Sequence, residues 1–170
     1  MIVCYTAEQA EKDIEQLVDL LIDAVESGAS IGFMPPILRA EAFSYWQDVI
    51  ATMRTDRRVL LVAIDGEVIQ GSVQLDLEPR ANGNHRAEAI KLCVHRRARR
   101  RGLATSLMLE VESTARQLGR TLLLMDTRKG GEAEKMCESL GYTRYGEVPR
   151  YARSADGRLD ATVFYYQQLG

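Results

Sequence analysis

An apolar segment ending at Val94 and an amphipathic segment opening near Gly102 are joined by Arg99-Arg100-Arg101-Gly102-Leu103-Ala104. No other stretch constrains the fold as strongly, because a strand must hand over to a helix there and the handover builds an anion site. A glycine at the turn lets backbone approach a ligand closely. The first helical turn offers unpaired N–H groups, and the helix dipole favours a pyrophosphate. Arg99, Arg100 and Arg101 supply the countercharge. The competing reading is a solvated basic turn that only caps a helix.

The chain has 170 residues, which predicts one domain with a core of useful size. A net charge of −2 and a sequence pI near 5.8 give no overall attraction to nucleic acid or to an acidic membrane, so the arginine cluster acts locally. Cys4, Cys93 and Cys137 are odd in number, widely spaced and outside any C-x-x-C or zinc pattern, which fits a reducing cytoplasm. No signal-peptide succession opens the chain and no apolar run approaches membrane-spanning length, so a cytoplasmic protein without a membrane partner is expected.

Ile2 to Tyr5 reads as a strand, and Thr6-Ala7-Glu8-Gln9 as a capping box opening a helix that keeps its apolar spacing through Val25 and stops at Gly28. A second helix is expected from Pro35 or Pro36, burying Leu38, Ala42, Trp46, Val49 and Met53. Val59–Asp65 and Val68–Leu77 flank the hairpin signal Asp65-Gly66, with Ile69, Val73, Leu75 and Leu77 on one half-buried face. Arg86 to Val94 is a strand. A helix with Leu103, Leu107, Val111, Ala115 and Leu118 follows, ended by Gly119, and then a buried strand from Thr121 to Asp126.

That strand, helix and strand form a right-handed crossover with parallel strands, whose carboxyl ends are where ligands gather. A helix over Glu132–Leu140 and strands over Tyr142–Val148 and Ala161–Gln168 complete a mixed α/β sheet. Pro149 to Asp160 is left as the longest irregular stretch, with its own Asp156-Gly157 turn.

The pattern Arg99-x-x-Gly102-x-Ala104 after Leu92-x-Val94 resembles the acyl-CoA pyrophosphate loop of the GNAT superfamily of N-acyltransferases, and the element order resembles that fold over the whole chain. The resemblance implies a mostly antiparallel central sheet with a parallel pair at the CoA site, flanked by about four helices. Within the superfamily, several blocks resemble the tabtoxin resistance acetyltransferases. They are Gly28-Ala29-Ser30-Ile31-Gly32-Phe33-Met34, Arg86-Ala87-Glu88, Lys91-Leu92-Cys93-Val94, Tyr142-Thr143-Arg144 with Gly146-Glu147-Val148-Pro149, and Asp156-Gly157-Arg158-Leu159.

The resemblance implies acetyl-CoA as cosubstrate, held through the main chain of Leu92, Cys93 and Val94 and through Arg99, Arg100, Arg101, Gly102, Leu103, Ala104 and Thr105. It also implies a substrate-covering loop in which Ser30 and Phe33 contact the acceptor. Loop glycines and prolines also read as plain turn chemistry.

Glu88 shares the even positions of its strand with Ile90, Leu92 and Val94, so alternation sets a carboxylate on an otherwise apolar face. Desolvation there would raise its pKa and suit it to accept a proton, whereas a bulge would turn it to solvent. Asp126 ends an apolar run at the ligand-favoured edge; the resemblance implies for it a base or substrate-orienting role, and the plain alternative is a helix or turn cap. Cys137 stands where GNAT enzymes often carry a tyrosine that protonates the departing thiolate, and it reads either as that acid or as a small core hydrophobe. His85 and His95 read as loop and turn residues, and no metal is expected.

These expectations combine into a cytoplasmic enzyme moving acetyl directly from acetyl-CoA to the amine of a small amino-acid-like metabolite or toxin. A protein or peptide acetyltransferase and a non-catalytic CoA-sensing or nucleic-acid-binding module are the alternatives. The acidic pI and the lack of interleaved aromatics oppose nucleic acid. The resemblance allows a homodimer.

Overall fold

A computed structural model describes all 170 residues. Strand β1 (Ile2–Tyr5) precedes helices α1 (Ala7–Lys12), α2 (Ile14–Glu26) and α3 (Arg39–Met53). Then come β2 (Arg58–Asp65), β3 (Val68–Leu77), β4 (Arg86–Val94), α4 (Leu103–Gln117), β5 (Leu122–Arg128), α5 (Glu132–Ser139), β6 (Thr143–Arg153) and β7 (Leu159–Gln168). The seven strands form one sheet in the order β1-β2-β3-β4-β5-β7-β6, and only β4 and β5 run parallel. No helix is long and apolar enough to cross a membrane.

The sheet is covered on both faces. Leu61, Val73, Leu75, Ala87, Ala89, Leu123 and Met125 pack with Leu107, Met108 and Val111 of α4 and with Met136 and Cys137 of α5. Leu60, Val62 and Cys93 pack on the opposite face with Leu17, Leu21, Trp46 and Val49 of α2 and α3. Burial of these apolar surfaces, about 25 cal/mol per Å² removed from water, holds the layers together. The indole N–H of Trp46 donates to the carbonyl of Leu17 at 2.8 Å, which locks α3 on α2 without leaving a buried donor unpaired.

Several sequence expectations change. The first helix is two, because the chain breaks at Asp13, which caps α1 at one end and opens α2 at the other; the helices therefore number five. The capping box forms as read, with Gln9 N–H on Thr6 Oγ1 at 3.2 Å and Thr6 N–H on Gln9 Oε1 at 2.8 Å. Helix α3 begins at Arg39 rather than at the prolines. Leu38 is its extended N-cap and 69% exposed, and Ile37 takes the buried place instead.

Leu118 likewise lies past the last turn of α4 and is exposed. Strand β3 is buried on both faces, not one: Ser72 and Gln74 are covered by the α2–α3 layer while Val73, Leu75 and Leu77 meet the α4 layer, and Ile69 joins the α2–α3 layer. The stretch after Val148 is ordered as a hairpin. Strand β6 runs to Arg153 and β7 starts at Leu159, because bulges after Arg144 and Val148 let the longer strand keep pairing past Pro149.

Candidate active site

Strands β4 and β5 pair only over Arg86–Leu122, Ala87–Leu123 and Glu88–Leu124, and then part. The cause lies in β4. Ser72 pairs with Cys93 and Gln74 with Ile90, so Lys91 and Leu92 together face Val73, and Lys91 takes a left-handed backbone (φ +54°). Beyond this bulge the edge of β4 turned toward β5 has no strand partner, so main-chain groups on that edge over Leu92–Val94 can pair with an extended ligand, apart from the Val94 carbonyl, which accepts from Arg99. The side chain of Cys93 is buried among the α2 and α3 residues, and burial pushes its thiol up to about 12.

The bulge also corrects the expected face of Glu88. Alternation fails at Lys91, so Leu92 and Val94 turn toward the α4 layer while Glu88 stays with Ile90 on the other face. Glu88 is thus an exposed carboxylate in an open recess, not a buried one on an apolar strip. The recess still strips water from it, and desolvation, then the charges of Asp126 and Asp76, raise its pKa. Glu88 lies opposite Leu124 on β5, and Asp126 lies two residues on, on the same face. Desolvation raises the carboxyl of Asp126 too, against the pull of Lys91.

Two cavities open on this face. One of about 440 Å³ is lined by Asp76, Glu88, Leu124 and Arg86; the other, about 410 Å³, by Ser30, Ile31, Lys91, Asp126, Arg128 and Tyr151. Ser30 therefore borders the cavity of Asp126. Phe33 does not: its ring stands edge-on to Tyr45, centroids 5.1 Å apart, with the Lys91 ammonium 5.7 Å above it. Lys91 Nζ donates to the carbonyl of Ile31 at 2.5 Å. Burial lowers the pKa of Lys91.

Between β4 and α4, Gly102 is the N-cap of α4 with a left-handed backbone (φ +74°), and no side chain caps the helix. The first helical bond runs from Ser106 N–H to Gly102 C=O at 3.0 Å, which leaves the N–H groups of Leu103, Ala104 and Thr105 outside the helix ladder. The three arginines differ. Arg99 folds back onto the Val94 carbonyl at 3.0 Å and the Ser27 hydroxyl, tying the loop to β4 and α2, while Arg100 and Arg101 stay exposed and unpaired. The upstream arginines are engaged elsewhere, Arg96 with Asp23 at 2.5 Å and Arg97 with Gln70 at 3.0 Å. His95 accepts from Arg97 N–H at 3.3 Å, and no three His, Cys, Asp or Glu side chains gather as for a metal.

Cys137 lies apart from both cavities. It is fully buried on the α4 side of the sheet with Sγ 3.3 Å from the Met125 sulfur, and burial pushes its thiol up to about 12. Sequence reasoning passed over Lys91 and Arg128. Arg128 is readable in the period of two that places it beside Asp126, but nothing in the sequence signals the bulge that aims Lys91.

This combination of a splayed parallel pair, an uncapped helix start and a carboxylate-lined recess has clear relatives. The acetyltransferase (GNAT) family model matches residues 16–142. An uncharacterized N-acetyltransferase from the hisH-hisA intergenic region of Azospirillum brasilense is 36% identical over 121 residues, covering 69% of each chain. An N-acetyltransferase from Staphylococcus aureus Mu50 superposes over 100% of this chain and 98% of its own, with TM-score 0.82 and 17% identity. The Salmonella typhimurium protein YncA, solved with its cofactor acetyl-CoA, does so over 100% and 94%, with TM-score 0.80 and 19% identity. The chain belongs to the GNAT family of acetyltransferases.

Proposed function

We propose that the chain moves an acetyl group directly from acetyl-CoA to the amine of a small amino-acid-like metabolite or toxin, as a single-domain cytoplasmic enzyme. The observation that carries this reading is the pair Glu88 and Asp126. Both carboxylates have raised pKa values, neither joins an ion pair, and they share one face beside the unpaired edge of β4. Such a pair attracts an ammonium and, with a proton affinity above that of an ordinary carboxylate, accepts its proton. The sequence blocks that resemble the tabtoxin resistance acetyltransferases support the amino-acid-like acceptor.

Acetyl-CoA supplies the acyl group as a thioester. The chain supplies the rest. The free N–H groups of Leu103, Ala104 and Thr105, with Arg100 and Arg101, suit its pyrophosphate, and the open main-chain edge at Leu92–Val94 suits its extended arm. Glu88 takes the proton from the acceptor nitrogen and Asp126 orients it. The new C–N bond then forms as the C–S bond breaks, and the thiolate leaves. The burial of Cys137 favours packing over an acid role. The thiolate is a good leaving group and takes its proton from water.

The test is CoA thiol release from acetyl-CoA with small amines, amino acids and lysine peptides as acceptors. Release that depends on a small acceptor supports the reading. Release with peptides alone makes the chain a peptide acetyltransferase, and binding of acetyl-CoA without turnover on any acceptor makes it a sensing module.

A further inference from the structure

Along one face of the β4–β5 region stand Glu88, Asp126 and then Arg128, the last residue of β5, whose register with β7 stays regular from Leu122 to Arg128. Asp126 and Arg128 both line the 410 Å³ cavity beneath Ser30. Their positions differ by two residues, about 7 Å along a strand. No ion pair in the protein includes Glu88, Asp126, Lys91 or Arg128.

Arg128 is half-buried, and its one side-chain hydrogen bond goes from Nη1 to the Ser154 hydroxyl at 3.2 Å; that hydroxyl donates in turn to Asp160. A guanidinium has five N–H donors, and all but one of those of Arg128 lack a protein partner, which leaves them open to a ligand in the cavity it lines. Arg58, with 17% of its side chain exposed, is by contrast paired within the chain, holding Asp76 at 2.9 Å and donating to Gln74 Oε1 at 2.8 Å. The second cation of the cavity, Lys91, is already spent on Ile31 and Phe33.

We infer that Arg128 binds a carboxylate of the acceptor, so that the acceptor carries this anion one carbon from its reacting nitrogen, as an α-amino acid does. The planar fork of Arg128 fits a carboxylate in two parallel bonds. Asp126 and Arg128 share one face of β5 and line one cavity, so the carboxylate of the first can meet the ammonium and the guanidinium of the second the carboxylate of a single small ligand. Ser154, held by Asp160, fixes the guanidinium before the ligand arrives. The inference rests on the acetyl-transfer reading and adds a specificity residue to it.

The experiment compares matched acceptors with and without the carboxylate: phenylalanine with phenethylamine, methionine with 3-(methylsulfanyl)propylamine, lysine with cadaverine. For each, kcat/KM is measured, and amino-acid binding to the protein saturated with CoA is followed by calorimetry. The parent protein is expected to prefer the amino acid of an accepted pair by about 100-fold. Arg128→Gln removes that preference by lowering the amino-acid value alone, and Arg128→Lys recovers part of it. Equal loss on both members of a pair, an unchanged preference in Arg128→Gln, or no carboxylate preference in any pair overturns the inference. Acetyl-CoA binding, titrated separately, tells the two failures apart. If acetyl-CoA binds while the carboxylate goes unread, only the role of Arg128 falls; if acetyl-CoA does not bind, the acetyl-transfer reading falls and takes this inference with it.

Discussion

The ammonium of Lys91, carried on the bulge of β4, donates to the carbonyl of Ile31 at 2.5 Å and so pins the loop between α2 and α3 against the strand that parts from β5. Gly32 beside it takes a left-handed backbone at φ +91°, which favours glycine, and a Cβ there would lie 2.9 Å from the same nitrogen and make the lysine tip shift. The wall of the acceptor cavity and the unpaired edge of β4 are thus joined by one side chain.

Lys91→Met removes that tie and keeps an unbranched apolar stem. A charged hydrogen bond contributes about 1.5–3 kcal/mol, so KM for the acceptor should rise by about 10-fold or more while the Kd for acetyl-CoA stays within about twofold. Hydrogen exchange of residues 28–34 should quicken in the variant. An unchanged exchange rate would show that the loop is held by its own packing.

Glu88→Gln keeps the shape of the recess and removes the proton acceptor. Turnover should fall by about 100-fold with acetyl-CoA affinity retained, since general-base catalysis contributes factors of that order. In the parent protein kcat/KM should climb as pH rises through the elevated pKa of Glu88, and that limb should vanish in the variant. Equal turnover across the pH range would remove Glu88 from the mechanism.

Asp126→Asn tests the cost of holding a carboxylate there. Desolvation raises its pKa in the folded state, so folding favours the protonated form; this contribution is complete below the unfolded pKa and is lost as pH rises through the folded one. The variant should therefore melt above the parent at pH 7, and the difference should close near pH 3. A variant less stable than the parent at pH 7 would mean that Asp126 has a native partner.

Gly102→Glu sets a side chain on a left-handed backbone and a negative charge at the uncapped start of α4. The backbone strain costs about 1 kcal/mol, a fall of about 2–4 °C in Tm, and Gly102→Ala should show the same fall. Only the glutamate should weaken acetyl-CoA by more than 10-fold, read by calorimetry. Matching affinities in the two variants would place the pyrophosphate elsewhere.

Cys137→Ala should reduce stability by about 1 kcal/mol and leave kcat unchanged, because the thiol is buried against Met125 with its pKa pushed up to about 12. A loss of rate without a loss of Tm would restore the acid role.

Local chemistry made much of this protein legible from its sequence. The capping box at Thr6, the Asp65-Gly66 hairpin, the period-two strands and the Arg-rich handover to Gly102 each depend on neighbours in the chain, and backbone sterics and capping act at that range. That Glu88 and Asp126 lie on β4 and β5 was readable for the same reason, whereas the face of Glu88 and the run of β5 past Asp126 were not. What alternation could not supply was decided in three dimensions. Whether a strand is covered on one face or two depends on helices far away in sequence, and so β3 is buried on both. The bulge at Lys91 lies in the pairing of β4 with β3, a long-range contact that local periodicity does not encode. It alone parts Glu88 from Leu92 and Val94, aims Lys91 at Ile31, and frees the edge that a ligand would use.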